Sequence, residues 1–127
     1  MQPQPSGHIL GIPGLVSNNT SSSAEYLQRI ADAGEMWFQE DRNEAPKLIT
    51  LLEDTSRDCQ FLIDARHDAL TPEERDWFVT KCRNWKAAFD ETLASLKSGT
   101  ITMETARTHS DLTMMKLVAA LRSGPTA

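Results

Sequence analysis

The chain predicts an all-α fold, an antiparallel four-helix bundle with a disordered or extended N-terminal tail. Three observations carry that expectation. Apolar residues recur at helical spacing over residues 23–42, 43–69, 72–98 and 102–123, with short connections between these segments. No segment shows the every-second-residue alternation of a half-buried strand. The stretch Leu70-Thr71-Pro72-Glu73-Glu74 marks one helix start with particular clarity. Thr71 suits an N-cap, Pro72 suits the first helical position, and Glu74 is placed to close a capping box. Apolar residues mirror each other about that point: Cys59 with Cys82, Leu52 with Phe89, Leu48 with Leu93. Two helices folded back at the turn would place each pair at one height.

Residues 1–22 hold Pro3, Pro5 and Pro13 among Gly, Ser and Asn, and the first charged side chain is Glu25. This composition reads as a flexible tail. Residues 8–16, with Ile9, Leu10, Ile12, Leu15 and Val16, are too apolar for a plain linker. They read either as a poorly ordered arm or as a peptide that docks on a partner or on its own domain. The first helix starts at Ser22 or Ser23 with a serine cap. Leu27, Ile30, Ala31, Gly34, Trp37 and Phe38 follow a helical period, and the helix is expected to end near Arg42.

The second helix is expected from Asn43, a plausible cap, to Ala69, with Pro46 in its first turn. Its stripe is Leu48, Leu52, Thr55, Cys59 and Leu62. The third runs from Pro72 to Ser98 on Phe78, Cys82, Trp85, Phe89, Leu93 and Leu96, and Gly99 ends it. The fourth begins after Thr100 or Thr102 and stops before Gly124-Pro125. Its stripe is Met103, Ala106, Ser110, Met114, Leu117 and Leu121.

At 127 residues with 39% hydrophobic and 24% charged side chains, one globular domain of about 100 residues (23–124) is expected beside the tail. A net charge of −5 disfavours nucleic acid or an anionic membrane as partner. No apolar run reaches the ~20 residues of a membrane span, and no signal-peptide pattern opens the chain. Cytoplasmic placement follows as the expectation. Acidic side chains concentrate on the first two helices, which reads as a solvated face.

Signals for chemistry are sparse. Cys59 and Cys82 form a possible redox pair if the hairpin register brings them together; otherwise they are small apolar residues in a helix seam. His8, His67 and His109 form no metal-binding spacing, so no metal and no cofactor is expected, and His67 reads as a surface residue at the polar end of helix two. The carboxylates read as lying on polar faces. No phosphate-binding Gly-rich loop and no nucleophile–base arrangement is present. No catalytic residue is assigned, and the chain reads as a non-enzyme.

Excess apolar surface is the stronger signal. Met36-Trp37-Phe38, Phe61-Leu62-Ile63 and Trp77-Phe78-Val79 each cover about 200° of a helix, wider than a stripe of roughly 100°. Met36, Trp37, Phe38, Phe61 and Trp77 are therefore the candidate partner-binding residues. They point to a protein-interaction module, such as an adaptor, a small chaperone or an assembly factor. The partner would be another protein or a second copy, with a homodimer burying the first helix. The uncharged, Ser-, Asn-, Gln- and Pro-rich start of the chain also resembles the N-terminal signals of bacterial type III secretion substrates. That resemblance implies an exported protein leaving by a signal-peptide-independent route. A thiol switch through the two cysteines is the third reading.

Overall fold

The computed structural model describes residues 22–125. The tail expected over residues 1–22 lies outside the described residues, apart from Ser22. The described chain is all-α. It contains α1 (Ser23–Glu35), a one-turn 3₁₀ segment (Met36–Gln39), α2 (Ala45–Asp64), α3 (Pro72–Lys97) and α4 (Met103–Ser123).

Local chemistry accounts for most boundaries. Ser22 caps α1 and Thr71 caps α3, each in a reciprocal capping box with the glutamate three residues on, Glu25 and Glu74. Thr102 caps α4 by accepting from the Thr105 N–H. Gly99, at φ 78°, follows the last turn of α3. Its N–H reaches the Leu96 carbonyl while the Thr100 N–H reaches that of Ser95. This crossed pair of bonds satisfies the helix-end carbonyls and needs a left-handed residue at that position.

Three boundaries differ from expectation. The first helix gives way at Met36 to the 3₁₀ turn, and Glu40 is extended. The second starts at Ala45 and ends at Asp64, not at Ala69. Its N-cap residue is Glu44, without a side-chain bond, rather than Asn43. The Asn43 side chain is engaged elsewhere, accepting from Arg107 of α4 at 3.2 Å.

α2 packs chiefly on α3, α1 on α4, and α3 on α4. Glu53 pairs with Lys97 and Ser56 with Asp90 between α2 and α3. Asp32 pairs with Arg122, and Trp37 with Asp111, between the α1 segment and α4. In both cases the partner number falls as the first rises. The expected stripes form one core. Leu27, Ile30, Trp37, Leu48, Leu52, Leu62, Phe78, Phe89, Met114, Leu117 and Leu121 are all essentially inaccessible to solvent. Each such side chain contributes about 1.5–3 kcal/mol through burial. Cys59 and Cys82 lie within it, close enough to interact electrostatically.

Candidate functional site

Two polar nodes tie the helices together, and both lie where the helix ends departed from expectation. The first is His67. A helix continuing past Asp64 would have the Arg66 N–H bond to the Leu62 carbonyl. Instead Ala65 turns extended, and His67 Nε2 lies 2.6 Å from that carbonyl oxygen. The imidazole thus caps α2 from the side chain. A carbonyl can only accept, so Nε2 carries the proton and donates. Nδ1, 2.5 Å from the Tyr26 hydroxyl of α1, accepts from it. The ring stands edge-on to Phe78 of α3 at 4.9 Å between centroids. His67 is only 2% exposed, which corrects the surface reading of this residue. Burial pushes its pKa down, opposed by its bond to the Leu62 carbonyl; Arg75 lowers it and Asp68 raises it. Burial also raises the Tyr26 phenol well above its ordinary range. A neutral imidazole and a neutral phenol therefore share one buried bond.

The second node is Asp111 of α4. It accepts from Trp37 Nε1 at 2.7 Å and, bidentately, from Arg42 Nε at 2.8 Å and Nη2 at 3.2 Å. Arg42 Nη1 also donates to the carbonyls of Phe38 and Glu40, left open by the end of the 3₁₀ turn. Its guanidinium sits 5.3 Å over the Phe38 ring. Residues 36–44 are thereby folded against α4, and Trp37 is turned inward onto Phe89.

The candidate contact residues accordingly separate. Trp37 is fully buried and belongs to the core, so its assignment to a contact surface is corrected. Phe38 and Trp77 are half-buried. Met36 and Phe61 are exposed, at 50% and 41%. Phe61 and Trp77 do not share a face. Trp77 lies one turn from Lys81 on the edge of α3 that leads, through Ala88 and Thr92, into the groove with α4. Phe61 lies on the stripe of α2 with Asp54 and Asp58, away from the Ser56 edge that meets α3. Asp54 and Asp58 are buried, at 7% and 2% exposed, contrary to their expected place on a polar face. Asp54 is held by Arg57.

Leu112 and Met115 are the other two exposed large apolar residues, at 46% and 55%. The sequence reads Met103, Met114 and Met115 equally as an adaptable surface or as core filler, and sequence reasoning missed Leu112. Asp111, Met115 and Arg122 share one stripe of α4, and both flanking residues reach across to the α1 segment. Met36 stands between Glu35, bonded to Arg122, and Trp37, bonded to Asp111. Each methionine therefore neighbours residues that tie the α1 segment to α4. The i, i+4 and i+7 relation of Met115 to its neighbours was present in the sequence; the ties that give it meaning were not.

The cysteines are free and buried. Burial, with the nearby Asp58 and Asp90 carboxylates, pushes the Cys59 thiol up to about 12, and burial raises Cys82 as well. Thiolate is the reactive form, so neither is poised for nucleophilic or exchange chemistry. Iodoacetamide at pH 8 should label neither cysteine in the folded protein within minutes, and both in denaturant, as read by intact mass. Rapid native labelling of either would contradict the burial.

Among the described residues, no three His, Cys, Asp or Glu side chains converge as metal ligands would. No described helix is long and apolar enough to cross a membrane. Compared with known protein families, curated proteins and solved structures, the chain matches none.

Proposed function

We propose that the chain is a non-enzymatic protein–protein interaction module acting through apolar helix faces, and that its first partner is a second copy of itself. The observation that carries this reading is that Met36 and Met115 are both half-exposed, each beside residues that tie the α1 segment to α4. Methionine is enriched where proteins meet, and its unbranched side chain adapts to an opposing surface. The ion pairs of Arg122 with Asp32 and Glu35, and of Arg42 with Asp111, flank the two residues with a polar rim. An apolar centre within a polar rim is the anatomy of an interface. A two-fold arrangement would set each methionine pair against its copy and bury the first helix. An adaptor or assembly factor of this kind needs no catalytic group. The buried, strongly protonated thiols and the neutral His67–Tyr26 pair fit that role.

Light scattering tests it. At 100 µM the mass of the wild-type chain is expected to approach twice its 14.2 kDa, and that of the Met36→Glu/Met115→Glu variant to stay at the monomer value with an unchanged helical circular dichroism spectrum. A monomeric wild type at 100 µM, chosen as roughly tenfold above a Kd of about 10 µM, sinks the self-association. So does a double variant that stays dimeric.

A further inference from the structure

The fold sorts the sulfur atoms of the described residues by exposure. Met36 and Met115 are 50% and 55% exposed. Met114, the chain neighbour of Met115, is fully buried in the core. Met103 is half-buried and packs against that core. Cys59 and Cys82 are fully buried, and burial keeps both thiols protonated at neutral pH. A thiol reacts as its thiolate, whereas a thioether offers its lone pair without losing a proton. Accessibility alone therefore decides which methionine an oxidant reaches. Among the described residues, a dissolved oxidant meets Met36 and Met115 before any other sulfur.

We propose that Met36 and Met115 are a peroxide-sensitive modification site, and that their conversion to methionine sulfoxide separates the two copies of the chain. The inference rests on the self-association proposed above and names its regulation. The co-reactant is hydrogen peroxide. The thioether sulfur attacks one peroxide oxygen, the O–O bond breaks, an S–O bond forms and water leaves. Sulfur gives up two electrons and the peroxide takes them. The product is a polar, hydrogen-bond-accepting side chain where the contact needs an apolar one. The donors of the adjoining rim are already engaged. Trp37 Nε1 and Arg42 bond Asp111, and Arg122 bonds Asp32 and Glu35. A sulfoxide oxygen pressed between two copies is then a buried acceptor without a donor, which disfavours the contact. On a separate chain the same oxygen faces water, because both side chains are half-exposed, so the fold of each copy is kept. Sulfoxide reductases reverse the change, so the site can switch in both directions.

Light scattering of the full-length chain before and after hydrogen peroxide, paired with peptide mass mapping, tests this. Mapping is expected to place an oxygen atom on Met36 and on Met115 while Met103 and Met114 remain thioethers. At about 100 µM, roughly tenfold above a Kd of about 10 µM, the mass should fall from near twice 14.2 kDa to near 14.2 kDa. That fall corresponds to a rise in Kd of roughly 100-fold, with the helical circular dichroism spectrum unchanged. Methionine sulfoxide reductase with dithiothreitol should restore the dimer. Met36→Leu/Met115→Leu, similar in volume and inert to peroxide, should stay dimeric throughout. At about 1 µM, roughly tenfold below that Kd, both methionines should oxidise faster, because the separate chain leaves them open. A dimer that persists with both oxygens in place overturns the proposal. So does Met114 oxidising as fast as Met115, or a leucine variant that dissociates in peroxide. A wild type already monomeric before peroxide instead ends the self-association itself, and this regulation with it.

Discussion

Trp37→Ala is expected to destabilise the fold by about 3–5 kcal/mol, the range for deleting a fully buried aromatic side chain. Total stability for a domain of this kind is about 5–15 kcal/mol, so the variant should stand close to unfolding at 37 °C. The indole contributes in two ways. Its ring packs at 5.8 Å from Phe89 at the centre of the core. Its N–H donates to Asp111, the carboxylate that also clamps Arg42. Trp37→Phe separates them: it keeps an aromatic ring against Phe89 but removes the donor. Asp111 retains both Arg42 bonds, so no buried charge is stranded. The Phe variant should therefore cost only about 1–2 kcal/mol. Urea unfolding followed by far-ultraviolet circular dichroism measures both. An Ala variant within 1 kcal/mol of wild type would mean that Trp37 is not in the core.

Trp37 also shows where the sequence was legible and where it was not. The boundaries set by local chemistry were readable: the serine before α1, the Thr71–Glu74 box, Thr102, Gly99 and Gly124 all act through neighbours a few residues away. The apolar stripes were readable too, because a helix repeats its facing positions whatever lies opposite. What escaped was every feature set by a partner distant in the chain. On a continuous helix, Met36-Trp37-Phe38 fans apolar bulk outward. The 3₁₀ turn, stabilised by Arg42 and by Asp111 of α4, redirects the chain so that Trp37 points inward while Met36 remains out. α2 carries a good helical pattern to Ala69, yet stops five residues earlier because the His67 side chain takes the Leu62 carbonyl. Asp54 and Asp58 looked solvated because periodicity does not reveal how wide a buried arc will be. The exposed pair Met36 and Met115 belongs with these: two residues far apart in sequence, each beside residues that tie the α1 segment to α4.

His67 yields a pH dependence of defined sign. In the unfolded chain its imidazole titrates near 6.5. In the folded protein burial holds its pKa below that value. Between the two values the unfolded state binds more protons than the folded state, so stability rises with pH there. The contribution is fully present above about pH 6.5 and is lost progressively as the pH falls through the window below it, down to the folded-state pKa. Protonation also disrupts the local bonding. Nδ1 would no longer accept from Tyr26, and a cation would be buried against Phe78 with Arg75 nearby and Asp68 as its nearest opposing charge. Two carboxylates are themselves held below their ordinary values, Glu74 by the Thr71 backbone N–H and Asp41 by Lys47. Urea midpoints should therefore drop between pH 7.5 and 5.5 in the wild type, while His67→Gln, which does not titrate, should show a flatter profile across the same interval. At pH 7.5, where the imidazole is neutral in both states, His67→Ala should cost about 2–4 kcal/mol, from lost packing and from leaving the Tyr26 hydroxyl and the Leu62 carbonyl without their partner. A wild-type midpoint that holds steady from pH 7.5 to 5.5, or a His67→Gln variant that falls just as steeply, would remove His67 as the source of acid sensitivity and with it the neutral, doubly bonded imidazole that joins α1, α2 and α3.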